Sequence, residues 1–105
     1  MKTVKGYPLY RGLNKIIMPE HSHILTAQCN ETGEAVALFA LVRTEKSDPP
    51  WHPETHDIYL CETDEEIPES IAGLPDERRL RYISTFQAHD VSHHVFEVLH
   101  AVLDV

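Results

Sequence analysis

The chain has 105 residues, 42% of them hydrophobic and 25% charged, which suits one domain with one core and argues against wholesale disorder. Seventeen acidic residues against nine basic ones give a formal net charge of −8, which disfavours broad contact with nucleic-acid phosphates or anionic lipid. A basic partner surface, or solubility alone, fits that charge better.

No apolar signal core follows Lys2 and Lys5, and the longest apolar run, Ala35 to Val42, falls far short of the roughly 20 residues a membrane helix needs. A cytoplasmic protein with no membrane association is the expectation.

In chain order, Val4 to Tyr10 reads as extended chain, and Pro8 removes a ladder donor, as at an edge strand or a strand end. Leu13 to Met18 is a second apolar stretch stopped by Pro19, and the two pieces are expected to pair as a hairpin. Ile24 to Cys29 and Ala35 to Arg43 flank the turn Asn30-Glu31-Thr32-Gly33, a clearer hairpin signal. Because Ala35 to Val42 is apolar on both faces, that strand is expected to be central or covered on both sides.

From Thr44 to Pro53 three prolines interrupt any sheet, so a surface loop is expected, with Trp51 either tucked against the core or exposed as a partner anchor. His56 to Cys61 regains the alternation of a strand. Glu62 to Glu77 then carries Glu62, Asp64, Glu65, Glu66, Glu69, Asp76 and Glu77 without one Lys or Arg, broken by Pro68, Gly73 and Pro75. A short helical turn near 70–80 is expected there, best at Ser70 to Gly73. Arg78, Arg79 and Arg81 follow directly, placed to neutralise the acidic run through ion pairs.

Leu80 to Leu99 holds two alternating runs around a polar turn at Asp90 to Ser92. As strands they place Leu80, Tyr82, Ser84, Phe86 and Ala88 on one face, and His94, Phe96 and Val98 on one side of the second arm. Val95, Val98, Leu99 and Val102 also recur at helical steps, but the abundance of Val and Phe favours a strand through Leu99. The whole reads as a mainly antiparallel β fold, a small barrel or sandwich of about six strands. Nothing in the pattern fixes His100 to Val105.

Eight histidines are many for this length. His21 and His23, two apart, would share one face of a strand and are the weak candidates for a metal ion. His52 and His56 would align only on a helix, which the neighbouring prolines oppose, and the adjacent His93 and His94 point to opposite faces of a strand. Cys29 and Cys61 stand apart, in no paired motif, and read as buried reduced thiols. Ser84, His89 and Asp90 lie in nothing like a nucleophile elbow, and four isolated glycines make no phosphate loop. Neither an enzyme nor a cofactor is expected.

Three separated pieces carry a family resemblance: Tyr7-Pro8-Leu9 with Ile17-Met18-Pro19 and Ile24-Leu25; Leu38 to Val42; and Tyr82 to Gln87 with His94-Val95-Phe96-Glu97. In these the chain resembles a family of small phage and prophage β proteins catalogued as a domain of unknown function. That family more often has Trp where Phe39 stands, and a Thr-Gly pair near Thr63 and Asp64. The resemblance implies a phage accessory gene and no catalytic residues, and it places Tyr7, Phe39, Tyr82, Phe86 and Phe96 in a shared core.

Charge and resemblance together lead to a non-enzymatic protein that binds or inhibits a host protein through Glu62, Asp64, Glu65, Glu66 and Glu69, with Trp51 as an anchor. A different class of function is an oligomeric pocket for a nucleotide signal of host defence, built from Arg78, Arg79, Arg81 and Tyr82. A third is an assembly protein whose β edges form a homo-oligomer without any ligand.

Overall fold

The computed structural model describes residues 1–44, 51–72 and 78–100. They form strands β1 (Lys2–Leu9), β2 (Gly12–Pro19), β3 (His23–Cys29), β4 (Val36–Arg43), β5 (Pro53–Glu62), β6 (Arg78–Ala88) and β7 (Val91–His100), and one helical turn, α1 (Glu69–Ala72). A three-stranded sheet in the order β1-β4-β3 packs on a four-stranded sheet in the order β2-β5-β7-β6, with every pairing antiparallel. The result is a sandwich and not a closed barrel. Among the described residues no helix is long and apolar enough to cross a membrane.

Two of the expected hairpins form. β3 and β4 join through the Asn30 turn, where the Asn30 side-chain oxygen accepts from the backbone of Glu34 and Ala35. β6 and β7 join through His89 and Asp90, both at positive φ, as a two-residue hairpin turn requires. The turn therefore sits one residue earlier than the sequence suggested.

The first two strands do not pair with each other. β1 pairs with β4 as an edge strand, the position in a sheet where a proline such as Pro8 is tolerated, and β2 crosses to the other sheet to pair with β5. The corner between them is held by Asn14, whose side chain accepts from the Tyr10 backbone N–H at 2.8 Å and donates to the Tyr10 carbonyl at 2.7 Å. Asn14 is itself buried, so this local bonding satisfies a polar group that the core encloses.

Bulges account for the second departure. The register of β6 shifts between Tyr82 and Ser84, so Leu80 and Tyr82 face away from the other sheet, whereas Ser84, Phe86 and Ala88 face it. β3 shifts likewise between Ile24 and Thr26. The two bulged edges meet: Ser84 Oγ accepts from the Ala27 N–H at 2.7 Å and lies 2.9 Å from the Thr26 hydroxyl. One serine thus clasps the sheets along one side.

The core between the sheets is built on Met18, Ala27, Leu38, Ala40, Ile58 and Val95. A second cluster, Tyr59, Cys61, Ile71 and Val98 with Ile67, Leu80 and Phe96, lies on the outer face of the four-stranded sheet, under the chain that follows β5. The outer face of the three-stranded sheet has no such cover among the described residues: Ala37, Phe39 and Leu41 stay half-exposed there, although β4 is central. The resemblance-matched aromatics divide accordingly. Tyr7 and Phe86 are in the core and Phe96 in the second cluster, but Phe39 lies outside against Gly6, and Tyr82 is 60% exposed.

Candidate functional site

The acidic stretch leaves β5 at Glu62 through a tight turn, in which Asp64 takes a positive φ and the Glu65 N–H donates to the Glu62 carbonyl. The Glu65 carboxylate folds back to accept from the Glu62 N–H at 3.1 Å. Arg11, at the corner between β1 and β2, then bridges the turn, 3.2 Å from Glu62 and 2.7 Å from Glu65. That hydrogen bond with Arg11 holds the Glu65 carboxyl below its usual range and raises Arg11. Further along, Ile67 and Ile71 insert into the second apolar cluster.

The described part of the acidic segment, 62–72, is therefore fastened at both ends. Glu62 and Glu65 are half-buried and paired, while Asp64, Glu66 and Glu69 remain exposed. Among the described residues the pairing comes from Arg11, which the sequence did not suggest. Arg81 turns to Glu97 instead, at 3.1 Å, and the side chains of Arg78 and Arg79 lie outside the described residues. Trp51 is half-buried with its ring 4.3 Å from the Arg43 guanidinium, at the end of β4 in the three-stranded sheet.

Arg81 and Tyr82, named for the alternative pocket, do not share a face of the strand. As neighbours on a strand they take opposite faces, Arg81 toward Glu97 and Tyr82 edge-on to Phe96 at 6.0 Å. The metal candidates separate as well: His21 sits at positive φ in the turn before β3, so only His23 is on the strand. Among the described residues no three His, Cys, Asp or Glu side chains converge as metal ligands. Cys29 and Cys61 are both free thiols, half-buried and buried respectively.

Two polar networks were not foreseen. His56 on β5 places Nδ1 2.6 Å from the buried Glu97 on β7 and Nε2 3.3 Å from Glu54, beside a cleft of about 440 Å³ that Thr55, Asp57 and Leu99 also line. The bond to Glu97 raises His56 and holds Glu97 down. With both ring nitrogens on carboxylates, His56 favours the imidazolium and is poorly suited to act as a base. On the outer face, His94 bridges Thr63 at 2.7 Å and Thr85 at 3.0 Å, and the Tyr82 hydroxyl donates to Thr85. Neither network was readable without strand register, since His56 and Glu97 are 41 residues apart.

The chain belongs to the family described as a domain of unknown function, DUF7352, whose sequence model matches residues 1–102. No curated protein and no solved structure matches it.

Proposed function

We propose that this member of the DUF7352 family is a binding protein without catalytic chemistry, presenting Asp64, Glu66 and Glu69 to a basic patch on a partner protein. The observation that supports this reading is the fastening of the segment. Arg11 takes up Glu62 and Glu65, Ile67 and Ile71 dock on the sheet, and three carboxylates are left facing water on a positioned backbone. Charge held in place this way loses less entropy on binding than charge on a free tail, and it steers a basic partner toward contact.

The segments that resemble phage and prophage proteins support an accessory role against a host protein in the host cytoplasm. The net charge of −8 supports a protein partner over nucleic acid.

The test is affinity capture from host lysate, followed by titration of the captured protein with wild type and with the triple variant Asp64→Lys, Glu66→Lys, Glu69→Lys. Binding should weaken at least about tenfold in the variant and fall with added salt, as steering and rim contacts do. Unchanged affinity would remove the acidic surface from the mechanism.

A further inference from the structure

The outer face of the three-stranded sheet carries a charge pattern at odds with the rest of the chain. By strand alternation β1 sends Lys2, Val4, Gly6 and Pro8 outward, and β4 sends Ala37, Phe39, Leu41 and Arg43. β3 adds His23, Thr26 and Gln28. In a chain with seventeen acidic residues, no carboxylate side chain stands on this face among the described residues. Its middle is apolar, with Val4 55% exposed and the Phe39 ring laid against Gly6, and Lys2 pairs with Arg43 across its basic end.

The opposite end is acidic. There the turn between β3 and β4 holds Glu31 and Glu34, both exposed. Beside it an apolar cleft of about 420 Å³ opens between Pro8, Ala37 and Phe39.

We propose that this face is the contact surface of a two-fold homodimer, in which a second copy packs on it with its strands reversed. A two-fold axis across the strands at mid-face puts the Arg43 end of one β4 against the Glu34 end of the other, twice, because an isologous contact repeats itself. It also brings Leu41 and Val4 of each copy over the apolar cleft of its partner. A parallel stacking would instead set the two basic ends together. The second copy is thus the occupant whose charge and shape the face itself specifies.

The footprint is small. Three strands of about eight residues cover roughly 350 Å² per copy, under half of the roughly 800 Å² per partner in a standard interface. The dimer is therefore weak and forms toward the upper end of the accessible concentration range. It leaves both acidic segments, which lie over the far face of the four-stranded sheet, pointing outward. The inference stands independently of the proposed partner, and if both hold, the dimer is a bivalent binder.

Sedimentation velocity on the full chain, from micromolar to about millimolar, tests it. The expected result is a concentration-dependent monomer–dimer equilibrium, lost in Val4→Glu while circular dichroism shows the fold intact. Arg43→Glu and Glu34→Arg should each weaken the dimer at least about tenfold, and the double variant should recover it. Within one copy those two residues stand at opposite ends of β4, about 30 Å apart by strand rise, so recovery reports a contact between copies. A monomer throughout the range, or a double variant weaker than either single one, overturns the proposal.

Discussion

Two clusters on the four-stranded sheet use the same three kinds of side chain and differ in how far water reaches the carboxylate. In one, Glu97 is 6% exposed and lies between Arg81 on β6 and His56 on β5, tying three neighbouring strands. In the other, Glu62 and Glu65 are half-exposed and take Arg11 from the corner of the fold, with His93 3.7 Å from Glu62. Buried ions cannot fall back on solvent when a partner is lost, whereas exposed ones can. The first cluster contributes to the stability of the fold, and the second braces a surface turn.

The largest expected effect follows from breaking the buried cluster. Glu97→Ala removes the acceptor of His56 and the mate of Arg81, and should destabilise the fold by about 3 kcal/mol in urea denaturation, at the lower end for a broken buried pair because Arg81 still reaches water. A loss under about 1 kcal/mol would place Glu97 with the exposed pairs and erase the contrast between the clusters.

A smaller effect sharpens the contrast through pH. His56 is raised from 6.5 by its bond to Glu97, so its contribution is complete below about 6.5 and is lost as pH rises through the raised value. Glu97 is lowered from 4.5 by the same bond, so its contribution is present above about 4.5 and is lost as pH falls through the lowered value. Glu54, Asp57 and Arg81 face the pair and belong to the same titration. Stability from the pair should therefore be greatest between about pH 4.5 and 6.5. Thermal unfolding across pH 4 to 9 should show His56→Gln without the alkaline decline expected of wild type, and coincident profiles would mean that the pair does not link protonation to folding.

These clusters also mark what the sequence could and could not convey. Apolar runs on either side of the Asn30 to Gly33 turn, and period-two alternation in Leu80 to Leu99, are enough to place β3, β4, β6 and β7 and their two hairpins. Pro8 was a sound sign of an edge. Alternation is blind to a single inserted residue, so the bulges in β6 and β3 went unseen, and with them the outward turn of Tyr82. Neighbouring strands in sequence suggested a β1–β2 hairpin because nothing in Arg11 or Gly12 records that Asn14 bends the chain into the other sheet. The acidic segment itself was legible from composition. Its clamp was not, since Arg11 lies 54 residues from Glu65.

The smallest effect on global stability is expected at that clamp. Arg11 and Glu65 interact at the surface, where salt screens charges beyond about 3 Å at 1 M and side-chain entropy offsets much of the attraction. Arg11→Ala should lower the unfolding midpoint by less than Glu97→Ala does, and the difference from wild type should vanish in 1 M NaCl. Ile67 and Ile71 still hold the far end of the segment, so the fold survives, but the turn at Glu62 to Glu65 loses its cross-brace. Amide exchange should then quicken at the Glu65 N–H, which donates to Glu62, while the strand interior of β5 exchanges as before. The Glu65 carboxyl, now without the guanidinium that depresses it, should titrate higher by NMR. If Arg11→Ala instead lowered the midpoint as much as Glu97→Ala, and did so in high salt, the surface cluster would be structural. The acidic segment would then be a buttress of the fold and not a surface shaped for a partner.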